Sequence, residues 1–332
     1  MKSLVNLLVI CIILSSCKSI SQTEVKYNPI VQKAKETSLY ADNLDWNEIN
    51  IQFNILINSG DKENALQFLL NSLNDKHASF RSVIDQSIVV SYKGNINSKD
   101  IRNPKFVNEV INDITAKFEY AQLDNEVGYL KVVGIAPGVV EENAKLIRNG
   151  LIELKNKKVK KWIVDLRYNG GGDMNPMISG LAPLIGEGFI GGSVDNQDSV
   201  QHEYSVKEGQ FYDNDRLVVE LQNSPIIGDE EKVVVLLSKY TISSGELVAV
   251  VFKGRPNTYF LGEGTAGFTT GNGWEQVSDE LIMCISESVF IDRNRVKYDD
   301  RVNVDENSDF KENIETEGDR QILRAIDWLQ KE

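Results

Sequence analysis

The sequence predicts an α/β protein with a helical segment at its front, and three observations carry that reading. Runs such as "KWIVDLRY" and "KVVVLLS" are short with β-branched, apolar centres, as strands covered on both faces have. Amphipathic or apolar stretches, "VVEENAKLIRNGLIELKN" and "GELVAVVF", alternate with those runs, which implies parallel strands joined by helical crossovers. Ahead of them, from Pro29 to Asn74, three stretches carry apolar residues at three- and four-residue spacing.

The elements follow in order. "MKSLVNLLVICIILSSC" has one Lys, a short apolar core and small residues before Cys17, the pattern of a bacterial lipoprotein leader. A plain signal peptide with an incidental cysteine is the alternative. Residues 1–16 are expected to be removed, Cys17 to be acylated, and 17–27 to act as a tether, which places the protein in the bacterial cell envelope. Residues 28–116 are expected to form a helical subdomain, with Asp45 and Asp61 as N-caps, and 117–332 the α/β core. A helix is expected to begin in "PKFVNEVINDITAKF", strands in "SIVVSYKG", "FEYAQL", "VGYLKVVGI" and "LIMCISESVF", hairpins across residues 186–230, and a closing helix in "EGDRQILRAIDWLQ".

Composition excludes some functions. The chain carries 49 acidic against 36 basic residues, a net charge of −13, so neither nucleic acid nor an anionic membrane surface would be attracted. Of three cysteines only Cys284 lies beyond Cys17, so no internal disulfide is expected. No spacing indicates a metal site or a cofactor.

Candidate chemistry concentrates in three places. "KYTISSGELVAV" sets Ser243 and Ser244 between a strand and a helix, as an N-cap or as a nucleophile on the turn. "VDLRYNGGGDMNP" places Gly170, Gly171 and Gly172 directly after a strand. Such a turn is a tight connection, a phosphate loop lacking the usual fingerprints, or an oxyanion site made of N–H groups. The chain has only two histidines: His77 in "LNDKHASF" and His202 in a polar stretch that reads as surface.

Taken in order, "LNDKHASF", "GYLKVVGI", "VDLRYNGGG", "LLSKYTISSGE" and "FLGEGTAG" resemble the S41 serine peptidases from roughly Tyr27 to Asp305. The resemblance implies a ClpP/crotonase-like core and hydrolysis of peptide or protein substrates. It makes Ser243 the nucleophile, two positions after Thr241 with Glu246 closing the motif, and Ser244 N–H one oxyanion donor. Gly171 is favoured for the second donor, with Gly170 and Gly172 as neighbours. Tail-specific members carry a lysine base where this chain has Phe268. Tricorn and nisin-resistance members use a histidine, which points to His77, with an acid limb of activity near about 6.5. Asp299 or Asp300 is the candidate orienting acid, by a loose match that also places Asp305; a solvated acidic turn is the other reading. No PDZ-like segment is visible. The rival function is an inactive S41-like protein that binds peptides or apolar ligands. The oligomeric state is not legible.

Overall fold

The computed structural model describes residues 26–93, 111, 117–309 and 318–331. The leader, Cys17 and most of the helix expected around residues 104–118 lie outside the described residues.

Asn28, Asp45 and Asp61 each accept a helix N–H with the side chain and open α1 (Pro29–Thr37), α2 (Trp46–Asn58) and α3 (Lys62–Leu73). Asn74 then takes a left-handed conformation, φ 52°, ending α3 and turning the chain into Asp75–His77. The hairpin of β1 (Ser79–Ser82) and β2 (Ile88–Ser91) follows. Next come β3 (Glu119–Asp124), β4 (Val127–Lys131), α4 (Val140–Asn156), β5 (Lys161–Asp165) and α5 (Met174–Ile185). The stretch expected as hairpins forms β6 (Gly188–Val194), β7 (Val200–Lys207), β8 (Gln210–Asp213) and β9 (Arg216–Leu217), antiparallel in sequence. The chain continues through β10 (Lys232–Leu237), α6 (Ser244–Phe252), β11 (Thr258–Gly262), β12 (Thr270–Gln276) and β13 (Leu281–Asp292). It closes with β14 (Lys297–Tyr298), β15 (Glu306–Asn307) and α7 (Arg320–Gln330).

These strands make two sheets. One has six strands in the order β15-β11-β10-β5-β4-β3, parallel except for β3 at its edge. Alternation sends its side chains to two cores. Trp162, Val164, Val233 and Val235 pack with residues of α4, α5 and α6. Ile163, Val234 and Leu236 pack with Ala325 and Leu329 of α7, the closing helix.

The other sheet has nine strands and is organised by β13, which pairs with β1, β6, β12 and β14. The front helices do not have a core of their own. Phe53, Leu66, Leu69 and Leu70 share one with Phe80 and with Leu281, Met283 and Ile285 of β13. Among the described residues no helix is long and apolar enough to cross a membrane.

Candidate active site

Two strand-to-helix turns lie side by side at the ends of β5 and β10. They are tied by buried polar groups: Thr241 Oγ1 donates to the Leu166 carbonyl (2.9 Å), Ser238 Oγ to the Arg167 carbonyl (2.7 Å), and Ile242 N–H to the Asn169 carbonyl (2.9 Å). Close approach explains Gly245. A Cβ there would come within 2.7 Å of both oxygens of Asn169.

Ser243 occupies the N-cap of α6 with φ 53° and ψ −116°. Positive φ in a residue bearing a Cβ is a strained conformation of a kind that clusters at functional sites. Its N–H donates to Glu246 Oε2 (2.9 Å). The N–H groups of Glu246 and Leu247 go to the Ser243 carbonyl, at 2.8 and 3.1 Å. Glu246 is fully buried. It also accepts from Thr265 Oγ1 (2.5 Å), Gly267 N–H (2.7 Å) and Phe268 N–H (2.7 Å). Burial raises its pKa, opposed by these four hydrogen bonds. The carboxylate therefore clamps the serine turn to the loop between β11 and β12.

The glycine loop corrects one expectation. Gly171 N–H is committed to Asn169 Oδ1 (3.0 Å), so the favoured oxyanion donor is occupied. Of the three glycines only Gly172 lines the cavity with Ser243 and Ser244. Among the described residues its N–H and that of Ser244 take no backbone partner. Gly171 and Gly172 have φ of 100° and 101°, and a Cβ on Gly172 would collide with the Ile135 carbonyl at 2.1 Å. Ser244 Oγ donates to the Gly172 carbonyl (2.6 Å), so this side chain has a partner of its own, holding the two turns together.

His77 follows the left-handed end of α3. Asp75 accepts the His77 N–H (2.9 Å) and fixes the turn. The ring lies edge-on to Phe268 with centroids 5.3 Å apart, and Lys76 Nζ sits 5.5 Å from the Phe268 centroid. His77 Nδ1 is 2.9 Å from Thr270 Oγ1, which is 2.8 Å from Ser286 Oγ, which is 3.0 Å from Asp75 Oδ1. Asp75 is 1% exposed and also accepts the Ser286 N–H (2.7 Å). Two hydroxyls thus connect the imidazole to a buried carboxylate. With Asp75 ionised and accepting from Ser286, each hydroxyl can donate toward the carboxylate and Thr270 can accept from Nδ1–H, the tautomer in which Nε2 is the basic nitrogen.

That position was expected to be filled by Asp299 or Asp300, and it is not. Both are exposed. Asp300 pairs with Arg301 Nε (3.2 Å), and the hydrogen-bond partner at Nδ1 is Thr270. Asp305 accepts the Phe260 N–H (2.8 Å) at the edge of β11. The titration expectation also moves. Burial, then the charges of Lys76 and Arg81, pull the His77 pKa down to about 4.

Ser243, Ser244, Gly172, His77 and Thr270 line one cavity of about 570 Å³, which Met174, Leu247, Trp274 and Phe290 also enclose. Among the described residues no hydrogen bond joins Ser243 to His77. His202, read from sequence as a surface residue, lines this cavity too; its Nδ1 is 2.9 Å from Asp213 Oδ1, which raises its pKa. Thr270, Ser286 and Asp75 escaped the sequence reading. Only Asp75, two residues before His77, was near enough in the chain to draw notice.

The sequence model of peptidase family S41 matches residues 126–307. The chain belongs to peptidase family S41. Ser243, the glycine loop, Thr270 and Ser286 of this S41 chain fall inside the matched region, whereas Asp75 and His77 fall before it. The nisin-resistance protein of Lactococcus lactis subsp. lactis is 32% identical over 183 residues, 51% of this chain and 50% of that protein. The S41 chain therefore spans about half the length of this curated relative. The fold is also that of solved structures. A lipoprotein from Streptococcus agalactiae has a TM-score of 0.68 at 19% identity, covering 91% of this chain and 93% of that one. A putative peptidase from Parabacteroides merdae gives 0.60 at 18%, covering 92% and 98%. The photosystem II D1 C-terminal processing protease gives 0.59 at 13%, covering 84% and 90%.

Proposed function

We propose that this S41 chain is a serine endopeptidase held at the bacterial cell envelope by lipid on Cys17. The observation that carries the reading is the strained Ser243 on its strand-to-helix turn. It shares a cavity with His77, whose Nδ1 is hydrogen-bonded to Thr270. In this reading His77 Nε2 takes the Ser243 proton as Oγ attacks the scissile carbonyl. Ser244 N–H and Gly172 N–H receive the charge that develops on the carbonyl oxygen, aided by the N-terminus of α6. The imidazolium then gives its proton to the departing amine. Water, deprotonated by His77, attacks the acyl-enzyme and restores Ser243.

Thr270, Ser286 and Asp75 act as positioning residues, in the role expected of Asp299 or Asp300. An imidazole with a pKa near 4 is neutral under ordinary conditions and so always ready to accept a proton. It is also a weak base, which makes alignment through Thr270 matter more. The leader pattern supports the envelope location, as does the similarity to a chain described as a lipoprotein.

The test is cleavage of a peptide library by the purified body, read by mass spectrometry, beside Ser243→Ala. Cleavage that disappears in the variant supports the reading. Cleavage that persists in it would overturn Ser243 as nucleophile. Saturable binding without cleavage in either protein would establish the rival, an inactive peptide-binding relative.

A further inference from the structure

Among the described residues lining the cavity, one is a permanent cation, Arg81; its charge helps depress the His77 pKa, but it takes part in no bond-making step of this mechanism. Arg81 pairs with Ile282 across β1 and β13, and strand alternation puts it on the face shared by Ser79 and Cys284. All three line the cavity, as does Trp274, which pairs with Cys284 from β12. The Arg81 guanidinium carbon lies 5.1 Å from the Trp274 ring centroid, and Trp274 is 50% exposed. Arg81 Nη1 donates to the Gln86 carbonyl (2.9 Å), while its Nε–H is buried without a partner. Among the described residues Arg81 makes no ion pair, although acidic residues outnumber basic ones by 49 to 36.

An unsatisfied buried N–H on a charged group is costly, and a ligand that supplies the missing acceptor removes that cost. Nε and Nη2 form the side-on edge of a guanidinium, and two parallel N–H groups there match the two oxygens of a carboxylate. The guanidinium lies over the Trp274 ring at the cavity wall, so a small shift of either exposes the Nε–H to a ligand in the cavity. We propose that Arg81, stacked on Trp274, binds a carboxylate of the peptide substrate and so determines which peptides are cut.

Geometry limits where that carboxylate lies. Arg81 is four positions after His77, and a fully extended chain advances at most ~3.6 Å per residue. An extended substrate has the same reach, so its carboxylate falls within about four or five residues of the scissile bond. Either the peptide C-terminus or an Asp or Glu side chain supplies this chemistry. The inference rests on the peptidase reading for its location but not for its test.

The experiment compares matched peptides: one with a free C-terminus, its C-terminal amide, and a pair differing by internal Glu and Gln. Binding is measured by calorimetry on Ser243→Ala protein and cleavage on wild type. One carboxylate form should bind and be cut about tenfold better than its neutral twin, and which pair shows this names the source. Arg81→Gln, added to each background, should bring that ratio to about one. If Arg81→Gln does not fold by circular dichroism, Arg81→Lys serves. It keeps the charge without the side-on edge, and the ratio should fall severalfold. Equal handling of acid and neutral peptides by wild type, or a preference that survives loss of Arg81, would overturn the assignment. Absence of cleavage by wild type counts against the peptidase reading alone, because the calorimetric ratio still decides Arg81.

Discussion

Strain at Ser243 separates its two possible roles. Glycine tolerates φ near 53°, so Ser243→Gly should raise stability by about 1 kcal/mol while abolishing cleavage; thermal denaturation and a peptide assay read both. A residue kept only as a cap would lose stability instead. Ser244→Ala keeps the N–H but frees the Gly172 carbonyl, so cleavage should fall severalfold without being lost, measured as kcat on the same peptide. With His77 as the base, the neutral form would be the active one. Its pKa is lowered to about 4, so activity should hold steady down to about pH 5 and fail as the ring protonates through about 4. A kcat/KM profile with its acid limb near 6.5 would show a ring less buried than described. Thr270→Val removes the partner of Nδ1 at nearly constant volume. It should lower kcat by about a hundredfold with KM little changed.

At the scale of elements, Glu246 joins α6 to the loop before β12. In Glu246→Gln an amide NH₂ replaces one carboxylate oxygen and meets donors where an acceptor stood. The variant should lose about 1–3 kcal/mol in chemical denaturation, and cleavage with it, since Ser243 N–H is among the four donors. The parallel sheet was legible because β5 and β10 are apolar on both faces and separated by helical periodicity. Several strands of the second sheet were legible but their assembly was not, because β13 pairs with strands far apart in the chain and carries a register shift against β12 at Gly271/Asn272. The same long range hid the connection behind His77: Asp75 and Ser286 meet across 211 positions, and no local pattern records that contact. Gly171 misled for the opposite reason. The tripeptide pointed to the loop, but which N–H stays free depends on Asn169 folding back onto it.

At the scale of the molecule, front helices and β13 share a core, so Met283→Ala should cost about 2–5 kcal/mol. Helical and sheet signals should be lost in one transition by circular dichroism. Two separated transitions would mean that the helices fold independently. Cys17→Ala should release the protein from the membrane fraction, and an unchanged distribution would count against the lipid anchor.

His77 and the buried Asp75 are contributed by the first part of the chain, while Ser243, Thr270 and Ser286 come from the second. On the proposed reading, an exported chain would emerge with His77 long before the residues that align it, so neither half alone would attack a peptide bond during passage. The site would be assembled only when β13 docks against the helices, which would make completed folding the activating event.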